Sequence, residues 1–505
     1  MFTSEERHLI KLFGKMVFTN PFSEQRTLLE KDILGKRFKS MYLSWHNIDG
    51  ELSVNKNLTL INDFCDQIVK KGLSGNISTE GAEFLDDWDF MALYWLFAKY
   101  SRDMSRNVYM GEKAEQETAQ LYTQFEKDYN KVMCFDGRQT ATMYAPQNIF
   151  ALFHQIHRAF NYIFDFIAGG GSAATLMRSS VWQSIFTSDL RRYYRQMFSK
   201  MNEITTLITG ESGTGKELVA RAISFSQFIP FDPKAKRFEE SYRNCFHPVL
   251  LSAMPRSLVE SELFGHAKGA YTGAIDEAHG FFETCQPCGC IFLDEIGDVT
   301  METQVKLLRL LQTRQFTRIG DINTLHFKGK VIAATHADLT KCCQEGTFRQ
   351  DLLFRICSDT IQTAPLRTLI DGQEDELRQF IIILAKRVLD GEDALQFAKQ
   401  SGDWIIKNLG LDYQWPGNVR ELEQCLRNLL IRGDYTPVGR PAPTAESLLR
   451  SYLRDCNLTA DELLSEYVTA IYQKAGNNLS AAAEITGLDR RTVKKYLFRT
   501  NVQPD

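Results

Sequence analysis

The chain has 505 residues, 44% of them apolar and 24% charged, with a formal net charge of -4. That length exceeds one ordinary core and implies about three domains, and the near-neutral charge excludes a chain that coats nucleic acid along its length, so any such contact must be local. Charges within the first ten residues leave no apolar leader, and no run reaches the ~18 apolar residues of a spanning helix, so the expectation is a cytoplasmic protein without membrane contact.

Residues 1 to about 172 are rich in aromatics and read mostly as helix. In "IFALFHQIHRAFNYIFDFIA", Ile149, Phe153, Ile156, Phe160, Ile163 and Ile167 recur at steps of three and four. "DDWD", residues 86–89, reads as a solvated surface turn rather than a cation site, and His154 and His157 on the apolar helix read as structural rather than metal-binding. "GGGS" at 169–172 breaks the pattern. Beyond it, β-prone runs ("TTLITG", "CIFLDEIG", "KVIAATH") alternate with helical ones, the mark of a parallel sheet flanked by helices.

"LITGESGTGKELVARAI" reads as strand, glycine-rich turn and helix start. Gly210, Gly213 and Gly215, with Glu211, Ser212 and Thr214 between them, let backbone N–H groups face a phosphate at the positive end of a helix, and Lys216 neutralises the β- and γ-phosphates. Glu217 stands where the common pattern has a Ser or Thr for Mg²⁺, so the metal needs another ligand. "CIFLDEIGD" supplies it: Asp294 for Mg²⁺ and Glu295 to orient the water that attacks the γ-phosphate of ATP. In isolation two acids at a strand end merely begin a solvated loop; beside a glycine-rich turn they read as a hydrolytic pair. "GAYTGA", residues 269–274, is a nearly bare loop around one aromatic, Tyr271. "CQPCGC" brings Cys285, Cys288 and Cys290 together, but no fourth ligand is clustered with them, and small buried thiols are the preferred reading. Eleven cysteines, an odd number, fit reduced thiols better than a disulfide framework. "FRQDLLFRI" offers Arg349 and Arg355 as arginines that one subunit of a ring places against the γ-phosphate of the next, and "WPGNVRELEQ" offers Arg420 to sense phosphate within its own chain.

In this order, "GESGTGKE", "ESELFGHAKGAYTGA", "FLDEIGD", "FRQDL" and "WPGNVREL" resemble the AAA+ domain of bacterial enhancer-binding proteins, the activators of sigma-54 RNA polymerase. The resemblance implies a multidomain chain: an α/β AAA+ P-loop core with a helical lid, a mostly helical N-terminal sensory or regulatory domain and a small all-α helix-turn-helix domain. The expected boundaries are 1–172, 173–435 with the lid at about 366–435, a linker at 436–456 and the last domain at 457–505. It further implies a ring, a hexamer when working and a dimer as the inactive alternative, which hydrolyses Mg-ATP to remodel a promoter complex. Gly269, Ala270, Tyr271, Thr272, Gly273 and Ala274 become the loop that contacts sigma-54, with Tyr271 where the family usually has Phe. Thr335 and His336 occupy the sensor position. Leu250 stands where the family carries an Asn that pairs with the catalytic Glu; leucine cannot make that bond, so Ser252 or a different route must couple nucleotide to loop.

"GDYTPVGRPAPTAE" has the composition of a linker. "NNLSAAAEITGLDRRTVKKYLFR" reads as a helix-turn-helix: Ala481–Ala483 allow close packing, Gly487 turns, Asp489 caps the second helix, and Val493 and Leu497 face inward. Arg490, Arg491, Thr492, Lys494 and Lys495 then face enhancer DNA. The segment is similar to the Fis-like domain of the same family. The leading expectation is an ATP-dependent sigma-54 activator. The alternatives are a nucleotide-binding, DNA-binding repressor that does not engage sigma-54, and a remodelling ATPase unrelated to promoters.

Overall fold

The structure is a computed structural model that describes residues 2–39, 47–48, 51–52, 56–75, 77, 81–110, 115–134, 145–271, 274–437 and 459–499. It divides into two compact units, Met1–Leu430 and Ile431–Asp505. Among the described residues no helix is long and apolar enough to cross a membrane.

The first unit begins with a helical bundle: α1 (Ser4–Phe18), α2 (Glu24–Leu34), α3 (Lys56–Ser74), α4 (Ala82–Met110), α5 (Glu115–Met133), α6 (Pro146–Phe166) and α7 (Ser172–Phe186). Local chemistry sets several ends. Thr3 and Glu6 close a capping box at the start of α1, and Pro146 occupies the first turn of α6. α6 is buried around its circumference, His154, Gln155, His157 and Arg158 included, as expected of a helix at the centre of a core. "DDWD" lies within α4 rather than in a turn. Trp88 is fully buried, its indole N–H donates to Val132 O, and its ring fills the space beside Gly72, where a Cβ would sit 2.3 Å away. A buried aromatic that packs and finds an acceptor outweighs the polarity of its flanking acids.

A five-stranded parallel sheet follows: β1 (Thr206–Thr209), β2 (Phe246–Leu250), β3 (Cys290–Asp294), β4 (Lys330–Thr335) and β5 (Asp359–Gln362), in the order β5-β1-β4-β3-β2. β4 pairs with β1 from Ile332↔Thr206 to Thr335↔Thr209 and with β3 from Lys330↔Cys290 to Ala334↔Asp294. Thr209, Asp294 and Thr335 therefore reach one edge of the sheet together, the carboxyl edge where open α/β sheets bind ligands. Between and after the strands come α8 (Lys216–Phe225), α9 (Arg256–Phe264), α10 (Met301–Thr313), α11 (Gln350–Ile356), α12 (Glu374–Ala385), α13 (Gly391–Asn408) and α14 (Asn418–Arg432).

Side chains alternate across the strands. Leu207, Ile291, Leu293, Val331 and Ala333 share a core with α9 and α10. Ile208, Cys290, Phe292, Ile332 and Ala334 share theirs with α8 and with the bundle. The expected boundary at 172/173 is therefore no break in the core. Tyr122 and Phe150 pack on Phe231 at 4.6 and 4.9 Å between ring centroids, His154 packs on Phe238 at 5.0 Å, and Tyr242 donates its hydroxyl to Val108 O at 2.7 Å.

The second unit contains α15 (Ala460–Lys474), α16 (Leu479–Thr486) and α17 (Arg490–Arg499). Val468, Tyr472, Ala482, Val493 and Leu497 form its core. Asn478 caps α16, Gly487 turns at φ 69°, and Asp489 Oδ1 accepts from the backbone N–H groups of Arg491 and Thr492. α15, which the sequence reading did not single out, supplies the helix against which the pair packs. Most of the expected linker, from residue 438 onward, lies outside the described residues.

Candidate functional site

The turn between β1 and α8 is forced by its glycines. Gly210, Gly213 and Gly215 have φ of 148°, 77° and 87°, where a side chain is strained. A Cβ on Gly210 would lie 2.1 Å from Thr363 Oγ1, and one on Gly213 would lie 2.4 Å from Gly417 O. The segment leading into α14 thus rests directly on the loop, tied by the Val419 N–H to Gly213 O at 3.1 Å. Lys216 opens α8 and donates its ammonium to Gly210 O and Glu211 O at 3.0 and 3.1 Å. Burial lowers its pKa, opposed by the carboxylates of Glu295 and Asp294.

A cavity of about 350 Å³ opens here. Ser212, Gly213, Thr214, Gly215, Lys216 and Glu217 line one side, and Asp294, Glu295 and Arg420 also face it. Asp294 ends β3; its pKa is raised, first by burial and then by the neighbouring Glu295. Its Oδ1 accepts from the Glu295 N–H at 3.1 Å. Glu295 sits in a left-handed conformation at φ 56°. Arg420 reaches Ser212 Oγ at 3.2 Å, so it stands beside the loop of its own chain.

Glu217 turns onto its helix and pairs with Arg221 at 2.8 Å. Asp294, a hard oxygen donor raised in pKa by burial and by a neighbouring carboxylate, is chemically suited to a divalent cation.

The partner of Glu295 is His336. Glu295 Oε2 accepts from the His336 backbone N–H at 3.2 Å and lies 2.8 Å from His336 Nδ1. Leu250, in register with Asp294 on the neighbouring strand, is 47% exposed, and of the two routes left open, Ser252 or another, the bond to Glu295 takes the other, through His336. Thr335 Oγ1 accepts from the Ala337 N–H at 3.0 Å, shaping the turn that presents His336.

Several residues of the site escaped the sequence reading. Phe166 and Ile167 at the end of α6 and Met177 on α7 form an apolar wall with Phe380, Ile383 and Leu384 of α12. Arg387 also lines the cavity, paired with Glu423 at 3.1 Å. Glu211 is clamped by Arg367, at 3.0 and 2.5 Å, and by Asn418 Nδ2 at 3.1 Å. Arg367 holds the Glu211 carboxyl down at about 2, with help from Asn418. The signal that could have found this wall is the run of apolar residues crossing the "GGGS" break.

Arg349 and Arg355 do not line this cavity. Arg349 is bonded to Asp351 at 3.0 and 2.7 Å, and Arg355 donates to Leu311 O at 3.0 and 2.8 Å. Tyr271 is 40% exposed, its ring 5.1 Å from that of His266. Gly269 N–H closes the loop onto Ala274 O at 2.9 Å, and Ala270 packs under Gly320. Thr272 and Gly273 lie outside the described residues. Cys285, Cys288 and Cys290 are buried, and Cys288 Sγ lies 2.8 Å from Cys245 Sγ and donates to Glu240. Among the described residues no three His, Cys, Asp or Glu side chains are grouped to hold a metal ion.

On α17, Arg490, Arg491, Lys494 and Lys495 are exposed and Thr492 is half-buried, its hydroxyl donating to Asp489 Oδ2 at 2.6 Å.

Residues 184–362 match the Sigma-54 interaction domain family. The DNA-binding transcriptional regulator NtrC of Azospirillum brasilense is 33% identical over 349 residues, covering 62% of this chain and 68% of that protein. The transcriptional regulatory protein ZraR of Klebsiella oxytoca is 37% identical over 313 residues, 59% of this chain and 64% of its own. The Nif-specific regulatory protein of Azotobacter vinelandii is 35% identical over 332 residues, 63% and 58% of the two chains. A solved structure of NtrX from Brucella abortus in complex with ATP aligns over 69% of this chain and 73% of its own, at 24% identity and a TM-score of 0.40. With the glycine-rich turn and the Asp294–Glu295 strand end at one edge of the parallel sheet, Tyr271 exposed, and NtrC matched over two thirds of its length, the chain belongs to the sigma-54-dependent enhancer-binding proteins.

Proposed function

We propose that this sigma-54-dependent transcriptional activator works as a Mg-ATPase ring, most simply a hexamer, which is held at enhancer DNA by α17 and acts on the polymerase through Tyr271. The observation that carries this reading is the convergence of Lys216, Asp294, Glu295 and Arg420 on one cavity at the carboxyl edge of the sheet. Lys216 and the N-terminus of α8 bind the phosphates, with Gly210, Glu211, Ser212, Gly213, Thr214, Gly215 and Glu217 shaping the turn around them. Asp294 holds Mg²⁺, which when bound neutralises charge on the β- and γ-phosphates. Glu295, aimed by His336, orients the attacking water, and Arg420 reports the phosphate within the chain.

Arg349 and Arg355 stand outside the cavity of their own chain, as fits residues that serve a neighbouring subunit. The guanidinium of Arg355 must leave Leu311 O to do so, whereas Arg349 needs only to release the exposed Asp351, so Arg349 is the readier finger.

Tyr271 supplies the aromatic contact to sigma-54, with Thr272 and Gly273, its neighbours in sequence, as further contact residues, and Gly269, Ala270 and Ala274 hold its base. The test pairs ATP hydrolysis with open-complex formation at a sigma-54 promoter. Tyr271→Ala is expected to hydrolyse ATP normally and fail to open the promoter, and Tyr271→Phe to do both. Full promoter opening by Tyr271→Ala would overturn the assignment. Wild-type hydrolysis without any promoter opening would favour the repressor.

A further inference from the structure

The N-terminal bundle lines a second cavity, open on one side, of about 370 Å³, within the range of sites for small organic ligands. Its wall is apolar and largely aromatic, built from Phe97 on α4, Phe153 and Phe160 on α6, and Trp182 on α7. The charge at its edge is already satisfied: Arg26 pairs with Glu30 at 2.8 Å and donates to Met16 O at 3.1 Å. Asn62 Oδ1 is likewise used, accepting from the Tyr94 hydroxyl at 2.8 Å. A charged guest would find no counter-charge, and water filling a space of about a dozen water volumes would find few hydrogen-bonding partners.

Among the described polar side chains on the wall, His157 is the one with a buried nitrogen left unpaired. Its ring stacks on Phe97, 4.7 Å between centroids and 8° between planes, and its Nδ1 shares a hydrogen bond with Ser105 Oγ at 3.1 Å. Its Nε2 is buried and has no partner. Burial pushes its pKa down to about 3, so the imidazole is neutral and offers one donor or one acceptor.

The same helix faces the ATPase. Ile149, Leu152, Phe153, Ile156, His157 and Phe160 line the cavity from α6. From between them, Gln155 Nε2 donates to Ser226 O at 2.8 Å and Arg158 Nη2 to Gln227 O at 2.7 Å. Both acceptors follow the end of α8, the helix that begins at Lys216. A guest that shifts α6 by a fraction of an ångström acts on the phosphate-binding helix through two buried hydrogen bonds.

We propose that this cavity binds an uncharged small molecule with one or two rings and a single hydrogen-bonding group placed against His157, and that its occupancy is transmitted along α6 to the ATPase. The probe is 1-naphthylamine, a neutral two-ring amine whose emission shifts to shorter wavelength when it is removed from water, titrated into the full chain with nucleotide affinity measured in parallel. Binding is expected to saturate at about one probe per chain. Two substitutions fill the cavity from its half-buried rim, Ala98→Trp and Ser101→Trp; each should weaken the probe at least about tenfold with nucleotide affinity unchanged. His157→Phe keeps the stacked ring, removes Nε2 and should weaken the probe about fivefold. The probe should alter the ATPase rate of the wild type and not that of Ala98→Trp. Two results would overturn the site: no saturable binding by a wild-type chain that binds nucleotide, or binding within about twofold of wild type in both filled variants. Saturable binding with an unchanged ATPase rate would overturn the transmission through α6.

Discussion

Glu295 adopts φ 56°, a conformation that costs a non-glycine residue about 1 kcal/mol and persists where its surroundings over-determine it. Here the hydrogen bond that the Glu295 N–H donates to Asp294 Oδ1 and the grip of His336 on its carboxylate do so. Glu295→Gln should bind ATP like the wild type while turnover falls by about a hundredfold or more. His336→Ala should lower kcat about tenfold with KM unchanged, because it loosens the aim of a group that remains present. Steady-state kinetics beside a nucleotide-binding titration separates the two outcomes. Glu211 provides a pH test. Its folded pKa, about 2, is depressed below the ordinary value, so its contribution is complete above about pH 4.3 and is lost as pH falls toward the folded value. The carboxylate is about half exposed, so the effect is small. The gap in melting temperature between wild type and Arg367→Ala should be constant near neutrality and close on acidification below about pH 4.

At the level of elements, the approach of Gly417 O to Gly213 makes the glycine turn and the segment leading into α14 one object. Gly213→Ala would place a methyl 2.4 Å from that carbonyl; with φ at 77° neither side can yield cheaply. ATP affinity should drop about tenfold or more while the far-ultraviolet circular dichroism is unchanged. On α17, Arg491→Ala and Lys494→Ala should each weaken enhancer binding and reduce the slope of log K against log salt by about one, read from titrations at several salt concentrations. The helices and strands around these positions were legible because their periodicity is local: α6 and β3 announce themselves in their own residues. The clamp on Glu211 was not, since Arg367 lies 156 residues away and Asn418 lies 207 away. Nor was the burial of Trp88, where the acids beside it suggested solvent. A sequence shows that a face is apolar; it does not show which distant face covers it. His336 was legible as a sensor but not as the partner of Glu295, because that pairing depends on β4 lying next to β3.

For the whole molecule, the continuous core sets what can be removed. Deleting residues 1–172 would strip the cover from Ile223, Phe231 and Phe292, which share one cluster with α6. The expected outcome is an insoluble or strongly destabilised ATPase fragment rather than a deregulated one, measured by sedimentation and thermal unfolding. In the intact chain, calorimetry should show the bundle and the sheet unfolding together. Nucleotide at about a hundred times its Kd should add about 2.7 kcal/mol to that transition, with tryptophan fluorescence from the bundle moving in step. The ring contacts of Phe231 and Phe238 with Tyr122, Phe150 and His154 also have an evolutionary consequence. An N-terminal bundle that shares its core with the nucleotide-binding sheet cannot be exchanged by simple recombination. Across descendants of this gene, substitutions at Phe231 and Phe238 should be inherited together with compensating changes at those three bundle positions, so the history of the N-terminal half and that of the ATPase should follow a single tree.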